Sequence, residues 1–343
     1  MITSELSVLY VGVDIAKDTV VVAAHRPAQL TNPVSLSNDA AGYVRLQALV
    51  SDWQTAAGCA STHLVMEPTG GYEARLAYYA HAQGWRVSLV NPSQVRDWIR
   101  GLARRAKTDC LDAALLARFG AERHPAPWQP PAAEWTALQQ LLARREDYLQ
   151  MVQAERNRAA IFALLPHGTD RVRDSLHATT QHLAEALVAI ESAIDDLFHQ
   201  HPPMQQQAER LDTIPGVGPK TIPPLLALCA RLYAQSNGQG TAKQLTALAG
   251  LDPQVYQSGT SVQRSGRISK KGDPVLRRTL YMASLGGTRG RNPLSDFYRH
   301  LVARGKPKKL ALIACARKIL VWAWAVFTSQ QPFDPAKAAS RGA

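Results

Sequence analysis

Four acidic side chains of this 343-residue chain occupy positions from which they could act together on one ligand. Asp14 closes an apolar run that begins at Ser7, and Glu67 follows a second run, Thr62–Met66. Asp109 and Asp112 stand three residues apart in KTDCLDA, on one face of a helix. Ligands of α/β sheets gather beyond strand ends where strand order changes. One carboxylate from each of several elements is the donor set that Mg²⁺ or Mn²⁺ takes, hard oxygens with room left for water and phosphate. Two such ions about 3.5–4 Å apart can clamp the attacking and leaving oxygens of a phosphodiester. Each piece also has a plainer reading. A strand-terminal Asp commonly serves a turn, and an Asp pair near a helix start favours the helix dipole. The order D…E…DxxD on this strand pattern is what singles out the set.

Two later motifs concern nucleic acid. LDTIPGVGPKT (residues 211–221) sets Gly216 and Gly218, followed by Lys220, in a tight turn between helical segments. Glycines there let backbone N–H groups approach a phosphate, in the manner of a helix-hairpin-helix. Pro223–Pro224 falls where the second helix should be running and predicts that it starts late. Then Tyr256, Ser258, Thr260, Ser261, Ser265 and Ser269 lie among Arg264, Arg267, Lys270 and Lys271, with Arg277 and Arg278 close behind. A hydroxyl among fixed cations could attack a phosphodiester, its oxyanion stabilised by charge, although no His stands nearby to act as base. Most serines of a Gly/Ser loop are structural, and the residues alone leave Tyr256, Ser258, Ser261 and, hindered by its methyl, Thr260 competing as nucleophiles.

The charge agrees with a polyanionic partner. Lys and Arg number 39 against 27 acids, a net +12. Ser258–Lys318 holds 15 of the basic residues and two acids, Asp273 and Asp296, or +13, and the remainder of the chain carries −1. A solvated surface usually mixes its signs, whereas a long one-sign segment points to nucleic acid.

These residues need positioning elements. Residues 7–13 and 19–24 are β-branched runs that read as an antiparallel pair, with a third short strand near Pro33–Leu36. Helix Asn38–Trp53, capped by Asn38 or Asp39, strand Thr62–Met66, helix Tyr72–Gln83 and strand Arg86–Val90 follow. Helical stretches at Ser93–Leu102 and Thr108–Gly120 complete a mixed α/β sheet domain. HPAPWQPP (124–131) has four prolines in eight residues and reads as a linker. Apolar residues then recur at heptad-like spacing on two long helices, one carrying Leu183, Leu187, Ile190, Ile194 and Leu197, with the turn PHGTD between them. An antiparallel coiled-coil hairpin is expected, formed in cis or against another chain, with another subunit favoured as the cover of its apolar stripe and two helices of a compact bundle as the alternative. The remaining region is read as helical. The expected domains are 1–123, a Pro-rich linker 124–131, a helical hairpin 132–205, a helical domain 206–335 and a tail 336–343.

Other classes fit poorly. The four cysteines are far apart and show no zinc spacing, which fits a reducing cytoplasm. The start of the chain lacks a signal-peptide pattern, and the apolar stretch Leu310–Phe327 is broken by Arg317 and Lys318, so it reads as a buried helix and no membrane is expected. An actin-like or sugar-kinase ATPase also opens with an Asp-bearing strand and hairpin, but that hairpin is Gly-rich, and IAKDT here has no glycine.

The stretches YVGVDIAKDT, VMEPTGGY, VSLVNPSQVRDW, KTDCLDA, IPGVGPKT, LTALAGLDPQVYQSGTSV and ISKKGDPVLRRTLYMA span nearly the whole chain. In that order they resemble the DEDD-type insertion-sequence transposases, the group that includes the Piv invertases. The resemblance implies an RNase H-like (RuvC-like) domain, a coiled-coil arm and a helical serine transposase domain. It places Asp14, Glu67, Asp109 and Asp112 on the acidic metal-binding positions and Ser258 on the nucleophile. Gln257 stands where Glu is often seen. The resemblance further implies Mg²⁺ or Mn²⁺, target and donor DNA as partners, and a structured noncoding guide, the bridge RNA. It implies dimers that assemble to tetramers in a bacterial, nucleoid-associated setting. The expected activity is RNA-guided strand exchange through a 5′-phosphoserine. The rivals are a RuvC-like resolvase or nuclease that uses water, and a non-catalytic nucleic-acid-binding protein.

Overall fold

The structure is a computed structural model that describes residues 8–26, 29–102, 109–236, 238–258 and 262–340. The chain divides into two compact units, Met1–Pro130 and Pro131–Ala343.

The first unit is built on a six-stranded sheet. Its strands are β1 (Val8–Ile15), β2 (Thr19–Arg26), β3 (Gln29–Leu30), β4 (Val34–Ser37), β5 (Ser61–Met66) and β6 (Arg86–Leu89). The order is β3-β2-β1-β5-β6, with β4 also paired to β2. β1 runs antiparallel to β2 and parallel to β5, and β5 parallel to β6, so the mixed sheet expected from the sequence is present. The central strands read as near-continuous apolar runs because helices cover both faces. Val11, Val13, Leu64 and Met66 point to one side, where they share a core with Leu46 and Val50 of α1 (Ala40–Ala57) and Leu76 of α2 (Ala74–Ala82). Val65 points to the other side, with Val95 and Trp98 of α3 (Pro92–Gly101) and Leu115, Leu116 and Phe119 of α4 (Asp109–Arg123). Asp39 caps α1, its Oδ1 accepting from the Gly42 amide at 2.8 Å.

The Pro-rich segment 124–131 is tied down along its first half. Ser88 of β6 lies 3.1 Å and 2.8 Å from the Pro125 and Ala126 carbonyls. The Trp128 amide donates to the Val87 carbonyl at 2.6 Å, and the indole packs against Tyr78 and His81. Prolines exclude this stretch from regular elements but leave its carbonyls free to accept, so it becomes a docked strap.

The second unit begins with α5 (Ala133–Phe162) and α6 (Asp170–Gln200), which pair with each other as an antiparallel hairpin. Arg145 of α5 bonds Glu191 of α6 at 2.7 Å. The Leu183–Leu197 stripe is therefore covered within one chain, with Leu183, Leu187 and Ile190 half-buried and Ile194 and Leu197 buried. The hairpin base shares one core with the helices that follow, Leu138, Ile194, Leu197 and Phe198 packing among them. Those helices are α7 (Pro202–Asp212), α8 (Ile222–Gln235), α9 (Ala242–Leu248), α10 (Pro274–Gly287), α11 (Pro293–Ala303), α12 (Lys308–Ser329) and α13 (Pro335–Ser340).

Two expectations are corrected here. Pro223 and Pro224 do not delay the helix: α8 starts at Ile222 and holds both prolines in its first turn, where the amides lack intrahelical partners. The region is also not wholly helical. β7 (Pro253–Ser258) and β8 (Val262–Ile268) form an antiparallel hairpin. α12 is long and apolar enough to span a membrane by composition, and Ile319, Leu320 and Ala323 are fully buried in this unit's core.

Candidate active site

Register and one glycine set Asp14, Glu67 and the first turn of α4 at the same end of one sheet face. Val13 of β1 pairs with Met66 of β5, so Asp14 and Glu67 come next on adjacent parallel strands, whose spacing is about 4.8 Å. Alternate residues share a face, which puts Gly12 and Asp14 on the side of Val65 and Glu67. α4 lies on that face. A Cβ at Gly12 would meet the Ala113 carbonyl at 2.0 Å and the Ala117 nitrogen at 2.3 Å. Further along, a Cβ at Gly120 would meet Val65 at 2.7 Å and the Tyr10 ring at 2.9 Å. Later residues of α4 thus sit over earlier residues of β1, and the helix runs antiparallel to the strand. Its first turn, with Asp109 and Asp112, lies at the end of β1 that bears Asp14. Asp14, Glu67 and Asp112 are half-buried, and each has an interaction partner. The Asp109 side chain lies outside the described residues. Among the described residues no group of three Asp, Glu, His or Cys is drawn close enough to hold a metal ion. The donor chemistry is nonetheless that of a hard divalent cation, oxygen throughout and at one end of one face.

The loops leaving these strands are ordered by their own polar groups. Glu73 closes the loop after Glu67, its Oε2 accepting from the amides of Thr69 at 2.9 Å and Gly71 at 3.1 Å. The Thr69 hydroxyl donates to the Glu67 carbonyl at 3.3 Å. Gly12 and Glu73 escaped the sequence reading as residues that shape this end of the sheet. Of these only Gly12 carried a signal, since a glycine inside a strand marks a close backbone approach.

The second unit holds the hydroxyl and the cations. Ser258 ends β7, paired in register with Val262. Residues 259–261, with Thr260 and Ser261, lie outside the described residues, as do the side chains of Tyr256, Ser258 and Arg264. Between the pairs Gln254–Arg267 and Tyr256–Arg264, β7 advances two residues and β8 three, so β8 carries a bulge at Ser265–Gly266. The base of this hairpin is tightly built. Ser269 bonds Asp252 through both amide and hydroxyl, and the Lys270 amide donates to the Gly250 carbonyl at 3.1 Å. A Cβ at Gly272 would meet the Leu248 carbonyl at 2.0 Å.

The predicted phosphate-binding residues differ in what they do within the chain. Arg277 donates to the Gly272 carbonyl at 2.6 Å and the Ala249 carbonyl at 3.3 Å, holding the hairpin base. Arg278 forms an ion pair with Glu146 of α5 at 2.8 Å. Gly216 has φ +85°, and a Cβ there would meet the Ala283 carbonyl of α10 at 2.4 Å, so helix packing accounts for this glycine. A Cβ at Gly218 would meet nothing, and Lys220, Arg267, Lys270 and Lys271 are exposed.

Comparison with known proteins bears on both halves. A transposase model of the DEDD IS110 type matches residues 11–164, and the IS116/IS110/IS902 transposase family model matches residues 208–299. The pilin gene-inverting protein of Moraxella lacunata is 31% identical over 96% of this chain and 98% of its own length. The chain belongs to the IS110 family of transposases. The pilin gene-inverting protein of Moraxella bovis is 32% identical over the same shares. An uncharacterized 43.6 kDa protein of insertion element IS110 from Streptomyces coelicolor is 28% identical over 43% of this chain and 35% of its own length. The first family match covers the acid-bearing sheet and α4 of this IS110-family chain. The second covers α8, the β7–β8 hairpin and α10. As a member of that family the chain is an enzyme that acts on DNA, a transposase or recombinase.

Proposed function

We propose that this transposase cuts and exchanges DNA strands by transferring a 5′-phosphate to Ser258, with Asp14, Glu67, Asp109 and Asp112 as ligands of Mg²⁺ or Mn²⁺. The observation that carries the metal reading is the antiparallel docking of α4 on β1 at Gly12, which gathers the acid-bearing ends. A cation bound there supplies charge stabilisation for the oxygens of the scissile phosphate. Asp14, Glu67, Asp109 and Asp112 would hold it. Ser258 Oγ attacks phosphorus; the P–Oγ bond forms, the P–O3′ bond breaks, and the hydroxyl proton passes to the departing 3′ oxygen. A 3′-OH from the exchanged strand then attacks the phosphoserine and takes Ser258's place, so the phosphodiester energy is conserved and no nucleotide is consumed. Exposed Arg267 and, with it, Arg264 lie on β8 of the serine's hairpin, exposed Lys270 and Lys271 follow it, and all four suit the phosphate backbone. Gly218 and Lys220, in the turn that Gly216 shapes by packing on α10, form a second candidate backbone contact; Arg277 holds the base of the hairpin that bears the others, and Arg278 is paired with Glu146 of α5.

The names of the relatives support inversion or transposition as the biological event. The family resemblance extends the proposal to guidance by a bridge RNA pairing with target and donor DNA. It also extends it to a homodimer that assembles to a tetramer and brings serine and carboxylates together from different subunits.

Mass spectrometry of digested, trapped protein–DNA complex tests the chemistry. The expected product is phosphodeoxynucleotide on Ser258, lost in Ser258→Ala. An adduct on Tyr256 or Ser261 reassigns the nucleophile. Cleavage with no adduct assigns the attack to water.

A further inference from the structure

We propose that Asn38 is a positioning residue for the carboxylate site, tying the loop that leaves Asp14 to the loop that leaves Glu67. The inference rests on the reading of Asp14 and Glu67 as metal ligands. Asn38 Nδ2 donates to the Ala16 carbonyl at 2.9 Å and reaches the Lys17 carbonyl at 3.4 Å, both in the β1–β2 turn. It also reaches the Tyr72 carbonyl at 3.4 Å, in the loop after Glu67. The Asn38 amide adds a bond to the Asp18 carbonyl at 3.0 Å. Carbonyls only accept, so the amide nitrogen must face them and Oδ1 must face away. There it accepts from the Tyr43 hydroxyl at 2.6 Å. Tyr43 is 5% exposed and packs on Tyr79, so the donor that orients Asn38 is itself held. Burial also raises its phenol above the ordinary value, which keeps the proton on it.

A plain capping role does not account for this residue, because Asp39 caps α1. What Asn38 spans is the gap between the two strand ends. Tyr72 is within the loop that Glu73 closes, so its carbonyl moves with the Glu67 backbone. Two carboxylates side by side repel, and Mg²⁺ demands near-octahedral oxygens at about 2.0–2.1 Å, so a shift at either loop is felt as affinity.

The test is Mn²⁺ binding to the full chain, followed by the electron paramagnetic resonance of free Mn²⁺, beside thermal unfolding and cleavage as a function of Mg²⁺. Asn38→Ala is expected to raise the half-saturating Mn²⁺ concentration about tenfold, the usual scale for an outer-shell partner. Melting should stay within a few degrees of the parent, and excess Mg²⁺ should restore most of the cleavage rate. Tyr43→Phe keeps the ring and loses the donor, so it should shift the isotherm in the same direction by about threefold. A folded Asn38→Ala protein with the parental Mn²⁺ isotherm overturns the proposal. If Asn38→Ala does not fold, an unchanged isotherm in Tyr43→Phe overturns it instead. Asp14→Asn separates the two claims. Parental binding in Asp14→Asn removes the metal reading itself. Binding lost there but kept in both other variants removes only the role of Asn38.

Discussion

Ser88 has one hydroxyl proton and three neighbours within bonding distance. The Pro125 and Ala126 carbonyls can only accept, so that proton goes to one of them. His63 Nε2, 2.7 Å from the same oxygen, must then be the donor, which fixes the neutral tautomer with its proton on Nε2. A second proton would have to enter at Nδ1, on a ring 4% exposed. Burial, with Arg86 and His124 nearby, pulls the His63 pKa from 6.5 to about 4. Tyr10, the other group facing the ring, is itself hydrogen-bonded to His124. The folded value lies below the unfolded one, so the unfolded chain takes up the proton first as pH falls. The contribution is complete above about pH 6.5 and is lost between there and pH 4, at up to about 1.4 kcal/mol per unit. Urea titrations of the parent and of His63→Gln at several pH values measure it. The Gln variant, which still offers an N–H to Ser88, is expected to lose less stability across that range.

At the scale of elements, the site depends on how closely α4 can lie on β1. Gly12→Ala places a methyl 2.0 Å from the Ala113 carbonyl, against backbone that cannot turn aside. It should cost about 3 kcal/mol or more in unfolding free energy and displace the turn that carries Asp112. Gly101→Ala, whose methyl meets nothing at the end of α3, is the matched control and should be near neutral. Calorimetry of the two variants checks the contrast. The same elements show where sequence suffices. β1 and β2 were legible because burial on both faces writes long β-branched apolar runs, and β5 and β6 because short apolar stretches stand between helical patterns. α1 was legible because a capping Asp precedes an apolar stripe. The β7–β8 hairpin was hidden because Ser, Gly, Arg and Gln mask its alternation, so it read as a loop. Pro223 and Pro224 misled because proline's meaning changes between the first turn of a helix and its interior. The four acidic positions were singled out from residue type and order. Asn38 was not, since its partners lie 22, 21 and 34 residues away on two loops and nothing local marks them.

Across the whole molecule, the basic excess of Ser258–Lys318 is not all available to a ligand. Arg277, Arg278 and Arg299 are engaged by groups of the protein itself. Arg289, Arg291, Arg304, Lys306, Lys308 and Lys309 are exposed around the two ends of α11, so the open charge extends well past the serine's hairpin. The docked strap has a different kind of consequence. A protease needs several residues of backbone that can leave the surface and lie extended in its cleft. Residues 124–131 look like such a site in sequence, yet Ser88 of β6 holds the Pro125–Ala126 carbonyls and the Trp128 amide is bonded to Val87 of β6. The turn between α5 and α6 offers what the strap withholds, with Leu164 81% and Leu165 55% exposed. Brief digestion with chymotrypsin should therefore cut first after Leu164 and spare Trp128, turning one band on a gel into two of nearly equal mass.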